Sequence, residues 1–488
     1  MLQNLHFRAS MHGMPPSGRV GFEFSFSTGK PAPTRPVGQR LRLLFLANFA
    51  GQSLPPFTVK KVNGDDLDGL VAAFSPQVHV AFNNESPATL SFASLDDFAP
   101  DELLRRVPVL MDLQRTRAEL LNPATFAATA ARLGLAQTTA AQPTPPAPTS
   151  LFAGLLGGEV AKPSIPPAPS PSGLDAVLAR AVAPHIVPAA DPQQKSLVSV
   201  VDQNLADALR SVLHTPAFAS VEAAWRGLQR VVEAFSGDPS VELWVASAPP
   251  EVLLADAVKL QTNLDASLLG TLLCGEDAAW SMVIVDHMFG RSVDDLIALG
   301  ALGALAGRAG ICAVASGDAA LAGGAASDVQ ELWQTLRQSP LAPHLALVHP
   351  RLLLRLPYGP RRNEVQSFPF DELGTQTEPP PQRLLWGSGA WAVAGVLARS
   401  FTEDPDDLPL GASAEVDGIP TLVFVDKHGD KQLYPSCESW LSETQAQTLL
   451  GSGLIPLVGN RSLAQASLFR LQSIAQPPQP LWLRKVSA

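Results

Sequence analysis

Between Thr215 and Gly237, apolar side chains recur at Phe218, Val221, Trp225, Leu228, Val232 and Phe235. These steps of three and four predict one stripe of an amphipathic helix. Thr215 is placed to cap it, and Pro216 at its first position gives up no hydrogen bond. Glu222 and Arg226 stand four apart with the acid first, the order that favours an ion pair along a helix. Gly237 and Pro239 end the element. Gly227 costs about 1 kcal/mol relative to Ala in a helix interior. Its presence is explained if another backbone packs there, so Trp225, Arg226 and Gly227 mark a candidate interface.

The rest of the chain alternates strand-like and helix-like patterns. Val20–Phe26 alternates as a strand, and Leu41–Phe49 is a nearly continuous apolar run, read as a buried strand. Asp65–Phe74 predicts a short helix, Val78–Phe82 and Thr89–Phe92 two strands, and Asp101–Leu121 a helix that Pro108 kinks or breaks. From 137 to 173 the chain holds nine prolines among Ala, Thr, Ser and Gly, a semi-extended linker. Within it Leu151–Leu156 is an apolar patch, read as part of a disordered tether in preference to a docking segment. Helices are predicted over Leu197–Leu213, after Ser247 and over Leu296–Ala309, and strands over Val241–Val245, Met282–Val285 and Ile311–Ala315. This alternation predicts an α/β (α+β) layer architecture.

Composition narrows the function. A chain of 488 residues predicts two or three domains. With 46% hydrophobic and 16% charged residues it can bury large cores, and its 45 prolines suggest extended segments and covered surfaces. A net charge of −10 with no Lys/Arg cluster argues against a nucleic-acid partner. There is no secretory apolar stretch at the N-terminus, and the longest apolar runs are broken short of a membrane span. Cys274, Cys312 and Cys437 are read as reduced core thiols of a cytoplasmic protein.

Several motifs carry a family resemblance. Val221–Leu228 resembles the "LEAAWRGL" helix of the large sheath subunit of bacterial type VI secretion systems (TssC/VipB). Pro350–Gly359 resembles that family's "PRVLLRLPYG", Phe368–Glu372 its "FxFEE", Leu385–Ala392 its "LWGNAAYA", Gly453–Leu457 its "GFIPL" and Ser473–Pro477 its "SxQxP". Pro435–Glu438 only loosely echoes the family's "PTEV" strand. The first segment resembles the small sheath subunit (TssB/VipA). Ala47–Gly51 stands for "GDFSG", with Asn48 replacing the family's Asp, a change of little weight if the position only caps a turn. Asp97–Asp101 matches "DFxPD", with Asp97 and Phe98 at its head, and Val107 to Leu120 matches "VPxLxxLxxxRxxL".

Each sign of chemistry in the sequence has a plainer reading beside it. Gly387–Ala392 fits a loose dinucleotide fingerprint, but no acidic residue closing a strand follows at the required distance, so it is read as a packed helix start. Gly29-Lys30 lacks the spacing of a phosphate-binding loop. Asp286-His287 at a strand end is the best acid–base pair, yet no nucleophile motif accompanies it, and a satisfied or solvated histidine is the favoured reading. No Cys/His cluster has metal-ligand spacing. Arg351 and Arg355 share one face of a strand and are expected to pair with acids such as Asp371 or Glu372. Tyr358 and the tryptophans serve as core or interface residues. No catalytic, cofactor-binding or metal residue is assigned.

The resemblance implies contractile-sheath-like mixed sheets flanked by helices. A small-subunit-like region (1–136) and a Pro/Ala-rich linker (137–173) lead to a large-subunit-like region (174–488) that ends before the family's C-terminal segment. It implies a non-enzymatic part of a type VI contractile sheath, in which neighbours share strands and contraction drives an inner tube outward. The implied partners are other sheath subunits, the inner tube protein, the baseplate and a recycling AAA+ unfoldase, without nucleic acid or membrane insertion. Alternatives are a sheath cap or baseplate accessory that does not polymerise, or an enzyme with an irregular site. From the chain end at Ala488 the expectation is a protein that stays monomeric or forms small oligomers alone. Val20–Phe26 or the tail Pro480–Arg484 are the candidate substitute donor strands. The linker reaches roughly 35 Å as a flexible coil, enough to let the two regions dock within one chain.

Overall fold

The computed structural model describes residues 39–133 and 192–487, apart from 52, 54, 56, 82–86, 236, 261–266, 277, 375–377 and 461–462. Val20–Phe26, Gly29-Lys30 and the 137–173 linker lie outside the described residues.

Among the described residues, the main sheet has ten strands. Its parallel core runs β5 (Val241–Ser247), β1 (Gln39–Ala47), β6 (Met282–Phe289), β7 (Cys312–Gly317), β8 (Leu345–His349) and β14 (Leu454–Gly459). Antiparallel strands complete it: β2 (Val59–Lys61) beside β5, β15 (Ala466–Leu468) beside β14, β11 (Ala414–Val416) beside β15, and β16 (Val486–Ser487) beside the start of β1. Three two-stranded pairs lie apart: β3 (Gln77–Val80) with β4 (Ala88–Ser91), β9 (Leu352–Leu353) with β10 (Trp386–Gly387), and β12 (Val423–Val425) with β13 (Lys431–Leu433).

The placement of β1 decides the architecture. It comes from the first region, yet it lies between β5 and β6 of the second, in register from Leu41↔Val241 to Ala47↔Ser247 and from Leu43↔Met282 to Leu46↔Val285. Its continuous apolar run is what a parallel strand buried on both faces requires. Leu41, Leu43 and Phe45 enter the core on one face, and Leu44 and Leu46 the core on the other. The central helix Pro216–Phe235 and the helix Ala390–Glu403 cover the first face. The helices Pro250–Leu260, Val293–Ala309 and Ser327–Gln338 cover the second. The result is an α/β sandwich in which both regions contribute to one sheet.

Local signals explain most boundaries. The Asp101–Leu121 helix breaks as Pro108 demands, into Pro100–Arg106 and Pro108–Leu121, with Val107 extended between them and Pro108 at the first turn. Asp66 caps Leu67–Phe74 through the Gly69 amide. Thr215 differs from its expected role. Its hydroxyl donates back to the Ser211 carbonyl at 2.6 Å, closing the preceding helix Pro192–Leu213, while its own carbonyl accepts from the Ala219 amide at 2.9 Å. The competing carbonyl four residues back takes the hydroxyl.

The tail Pro480–Arg484 is docked on its own chain. Leu481 is buried, the Trp482 indole N–H donates to the Pro343 carbonyl at 3.1 Å, and β16 follows on the edge of β1. Among the described residues, no helix is long and apolar enough to cross a membrane.

Because β1 is flanked on both sides by strands of the second region, cleaving the chain within 137–173 is expected to leave two fragments that co-elute on gel filtration under native conditions. Clean separation of the fragments would contradict a shared sheet.

Candidate functional site

The residues singled out in the sequence fall mostly at one place, the junction where the first region meets the central helix and the loops that follow β8. Phe218, Val221, Trp225 and Leu228 point from the helix into the core. Trp225 is 1% exposed, its ring stands edge-on to Phe49 (5.1 Å) and Phe74 (5.6 Å), and its indole N–H donates to the Phe49 carbonyl at 3.0 Å. Phe218 meets Phe92 and Phe98, which stack face to face at 4.2 Å. Phe45 stacks on Trp391 of the helix Ala390–Glu403 at 5.1 Å. Aromatic pairs of this kind add about 0.5–1.5 kcal/mol each beyond the area they bury.

Gly227 sits where this packing is tightest, since a Cβ there would overlap the Trp391 ring. The neighbour that explains the glycine is thus a side chain from another helix, where the sequence suggested a backbone.

Polar groups fix the same junction. Asn48 Nδ2 donates to Ser220 Oγ at 2.6 Å while its Oδ1 accepts from the Gly51 amide at 3.1 Å, so the amide both caps its turn and reaches the helix. Asp97 accepts from the Ala93 and Ser94 amides and pairs with Arg106, and these partners hold its carboxyl below the usual range despite burial. Asp101 accepts from the Gln366 and Ser367 amides at 3.0 and 3.1 Å, fastening the first region to the loop before Phe368.

One helical turn from Trp225 lies a buried ionic node. Arg355 Nε donates to Glu222 Oε1 at 2.7 Å and its Nη1 to Glu372 Oε2 at 2.8 Å, and both carboxylates are fully buried. The guanidinium stands 4.4 Å from the Tyr358 ring, and the Tyr358 amide donates to Glu372 Oε2 at 2.7 Å. The two carboxylates outweigh burial and hold the Arg355 pKa well above its usual value. Burial pushes the Tyr358 phenol up to about 12. His214 lies 3.4 Å from Glu372, but desolvation lowers its pKa and favours the neutral ring.

The expected pairing of Arg355 with Glu372 is found, that of Glu222 with Arg226 is loose, and the expectations for Arg351 are corrected. The Glu222–Arg226 ion pair forms at a loose 3.8 Å, because Glu222 turns to Arg355, and the Arg226 guanidinium also reaches Gln229 and the Leu95 carbonyl. Arg351 pairs with neither Asp371 nor Glu372 but forks onto Glu438, with Nε to Oε2 at 2.8 Å. Asp371 takes Arg362 at 2.8 Å. Arg351 and Arg355 share no strand face, since β9 spans only Leu352–Leu353.

Glu438 and Glu242 were missed as partners, and Glu222 was expected on Arg226 alone and not on Arg355. Only the loose echo around Pro435–Glu438 pointed to the first of them, and there Leu352 bridges Cys437 antiparallel.

The residues of the loose fingerprint and of the acid–base pair have structural partners. Gly387 and Gly389 pack so closely on Leu354 and Val348 that a Cβ at either would clash. Asp286 Oδ1 accepts from the Ser388 amide at 3.3 Å, and burial raises its pKa. His287 Nε2 faces Asp295 Oδ1 at 3.3 Å. Both line a cleft of about 610 Å³ at the carboxyl ends of β6 and β7, with Arg351, Glu438 and the start of the central helix on its other walls. Cys312 and Cys437 are buried and their thiols are pushed up to about 12, which makes them inert core groups.

Two known families match successive stretches of the chain. Residues 195–475 match the family described as EvpB/VC_A0108, tail sheath N-terminal domain, and residues 15–132 match the family described as type VI secretion system, VipA, VC_A0107 or Hcp2. The type VI secretion system sheath protein TssC1 of Pseudomonas aeruginosa is 23% identical over 310 residues, 58% of this chain. The chain spans 62% of that relative's length. The first of these matches covers more than half of the chain, which therefore belongs to the EvpB/VC_A0108 tail sheath family, with a VipA-like region in the same polypeptide.

Replacing Trp225 with Ala is expected to lower the unfolding free energy by about 3–5 kcal/mol. Arg226→Ala is expected to cost under about 1 kcal/mol, since its contacts are peripheral. Urea titrations of the two variants side by side check both values. Arg355→Met strands two buried carboxylates against each other and is expected to cost about 3–5 kcal/mol. A variant melting at the wild-type temperature would show that the node carries no such weight.

Proposed function

We propose that this member of the tail sheath family is one protomer of a type VI contractile sheath, carrying its small-subunit-like and large-subunit-like parts in a single chain. The observation that carries this reading is the position of β1. The strand of the VipA-like region lies in the middle of the sheet of the sheath-family region, hydrogen-bonded on both sides. On this reading the regions are 1–136 and 174–488, and 137–173 is a tether between them.

The work is mechanical and needs no catalytic group. The aromatic junction and the Glu222–Arg355–Glu372 node make the protomer a stiff unit, and movement takes place between protomers. Trp225, Gly227, Asp97, Phe98, Arg351, Arg355 and Tyr358 are then residues of the frame, and Arg226 lies at its margin. The partners on this reading are other sheath subunits, with the inner tube, the baseplate and a recycling unfoldase around them, in the cytoplasm. A second reading, a cap or baseplate accessory, keeps the same protomer and removes polymerisation.

Negative-stain electron microscopy of the purified protein, alone and with the products of neighbouring genes, separates the two. Tubes of regular diameter are expected for a sheath protomer. Short discs, or particles seen only at the ends of tubes made by another subunit, would favour the cap.

A further inference from the structure

The cleft of about 610 Å³ at the carboxyl ends of β6 and β7 stands where the topology of the main sheet opens a crevice. The helices that follow β6 and β7, Val293–Ala309 and Ser327–Gln338, lie on the second face of the sheet. Those that follow the neighbouring strands β1 and β8, Leu67–Phe74 and Ala390–Glu403, lie on the first. The chain thus parts to opposite faces at both borders of the β6–β7 pair, the position at which open α/β sheets hold ligands. The cleft has the volume of a small-molecule site.

Its charged groups are balanced except at one point. Arg351 Nε donates to Glu438 at 2.8 Å, Arg291 Nε to Asp318 at 3.1 Å, and His287 faces Asp295 at 3.3 Å. Asp286 has no such partner. Among the described residues it accepts one backbone N–H, that of Ser388 at 3.3 Å, and no cation stands within ion-pairing distance. The buried Trp391 indole N–H, itself without a hydrogen-bond partner, lies near the same carboxyl. Burial raises the Asp286 pKa, and His287 and Arg351, acting from further away, do not offset it. A carboxyl in this setting lacks a counter-charge.

The remaining walls decide what could supply one. Pro250, Leu384, Leu385 and Trp386 line the cleft with apolar surface. An anion would need a cation to spare, and both arginines are engaged. We infer that the cleft binds a small organic cation, an alkylammonium or alkylguanidinium group. Its N–H bonds donate to the Asp286 carboxylate, and its hydrocarbon part lies on the apolar walls. A sheath protomer and a cap would carry this site alike. The group can arrive on a free amine or guanidine, or as a side chain of a peptide.

Isothermal titration calorimetry of the full-length protein with N-butylguanidinium tests the site, with N-butylurea as the uncharged isostere. The cation is expected to bind, and the urea to bind at least about tenfold more weakly. Asp286→Asn keeps the shape and an acceptor oxygen but removes the charge. It is expected to weaken N-butylguanidinium at least about tenfold, with a melting temperature that does not fall. Ala219→Phe, on the central-helix wall, fills the cleft and leaves Asp286 intact, and the same loss is expected from it. The capped peptide acetyl-Gly-Arg-Gly-amide tells the two sources apart. Tighter binding than that of N-butylguanidinium assigns the group to a peptide side chain, and weaker binding to a free small molecule. An absence of binding at up to about 10 mM N-butylguanidinium would overturn the inference. So would equal binding of the urea, or an affinity that either variant leaves unchanged.

Discussion

A strand that is apolar on both faces is stable only between two others, and β1 meets that condition only by entering a sheet whose remaining core strands come from the second region, from Val241 onward. Everything else in the molecule follows from this placement. The central helix must lie over β1 to cover Leu43 and Phe45, which brings Trp225 to Phe49 and Phe218 to Phe92 and Phe98. Among the described residues of the first region, these rings are buried against the central helix of the second. The first region's helices and its β3–β4 hairpin are therefore a lid on the second region's core, with the same aromatic residues serving both.

The Glu222–Arg355–Glu372 node plays a different part. A buried ion pair contributes little net stability, because desolvation offsets the attraction, but breaking it is costly. Such a node selects one arrangement of the chain over near alternatives. Here it ties the central helix to the loops holding Arg355 and Glu372, and the same stretch of chain receives Asp101 from the first region at Gln366 and Ser367. Aromatic burial supplies the adhesion across the junction, and the ionic contacts set its geometry.

Much of this was legible from residue order alone. The 3.6-residue stripe of the central helix, the break at Pro108 and the double-sided burial of Leu41–Phe49 are local consequences of side-chain type, and local signals survive in a single sequence. Gly227 announced a close approach, though nothing in the sequence named Trp391 as the neighbour. What failed was pairing at a distance. Glu222 lies nearer Arg355 (2.7 Å) than Arg226 (3.8 Å), because a buried carboxylate favours the cation that is equally desolvated, and the partly exposed Arg351 takes Glu438 over acids nearer in sequence. Sequence spacing carries no information about which loops will be buried together.

The position of β1 also sets a timetable. Leu41 pairs with Val241, which is made 200 residues later in the same chain. At a synthesis rate of roughly 5–20 residues per second, the first strand leaves the ribosome roughly 10–40 s before its neighbour exists. For that interval the stretch Leu41–Ala47 is an unpaired apolar strand on a nascent chain, the kind of segment that aggregates or attracts a chaperone. Joining the two regions in one polypeptide guarantees their equal number, and it obliges the earlier one to wait.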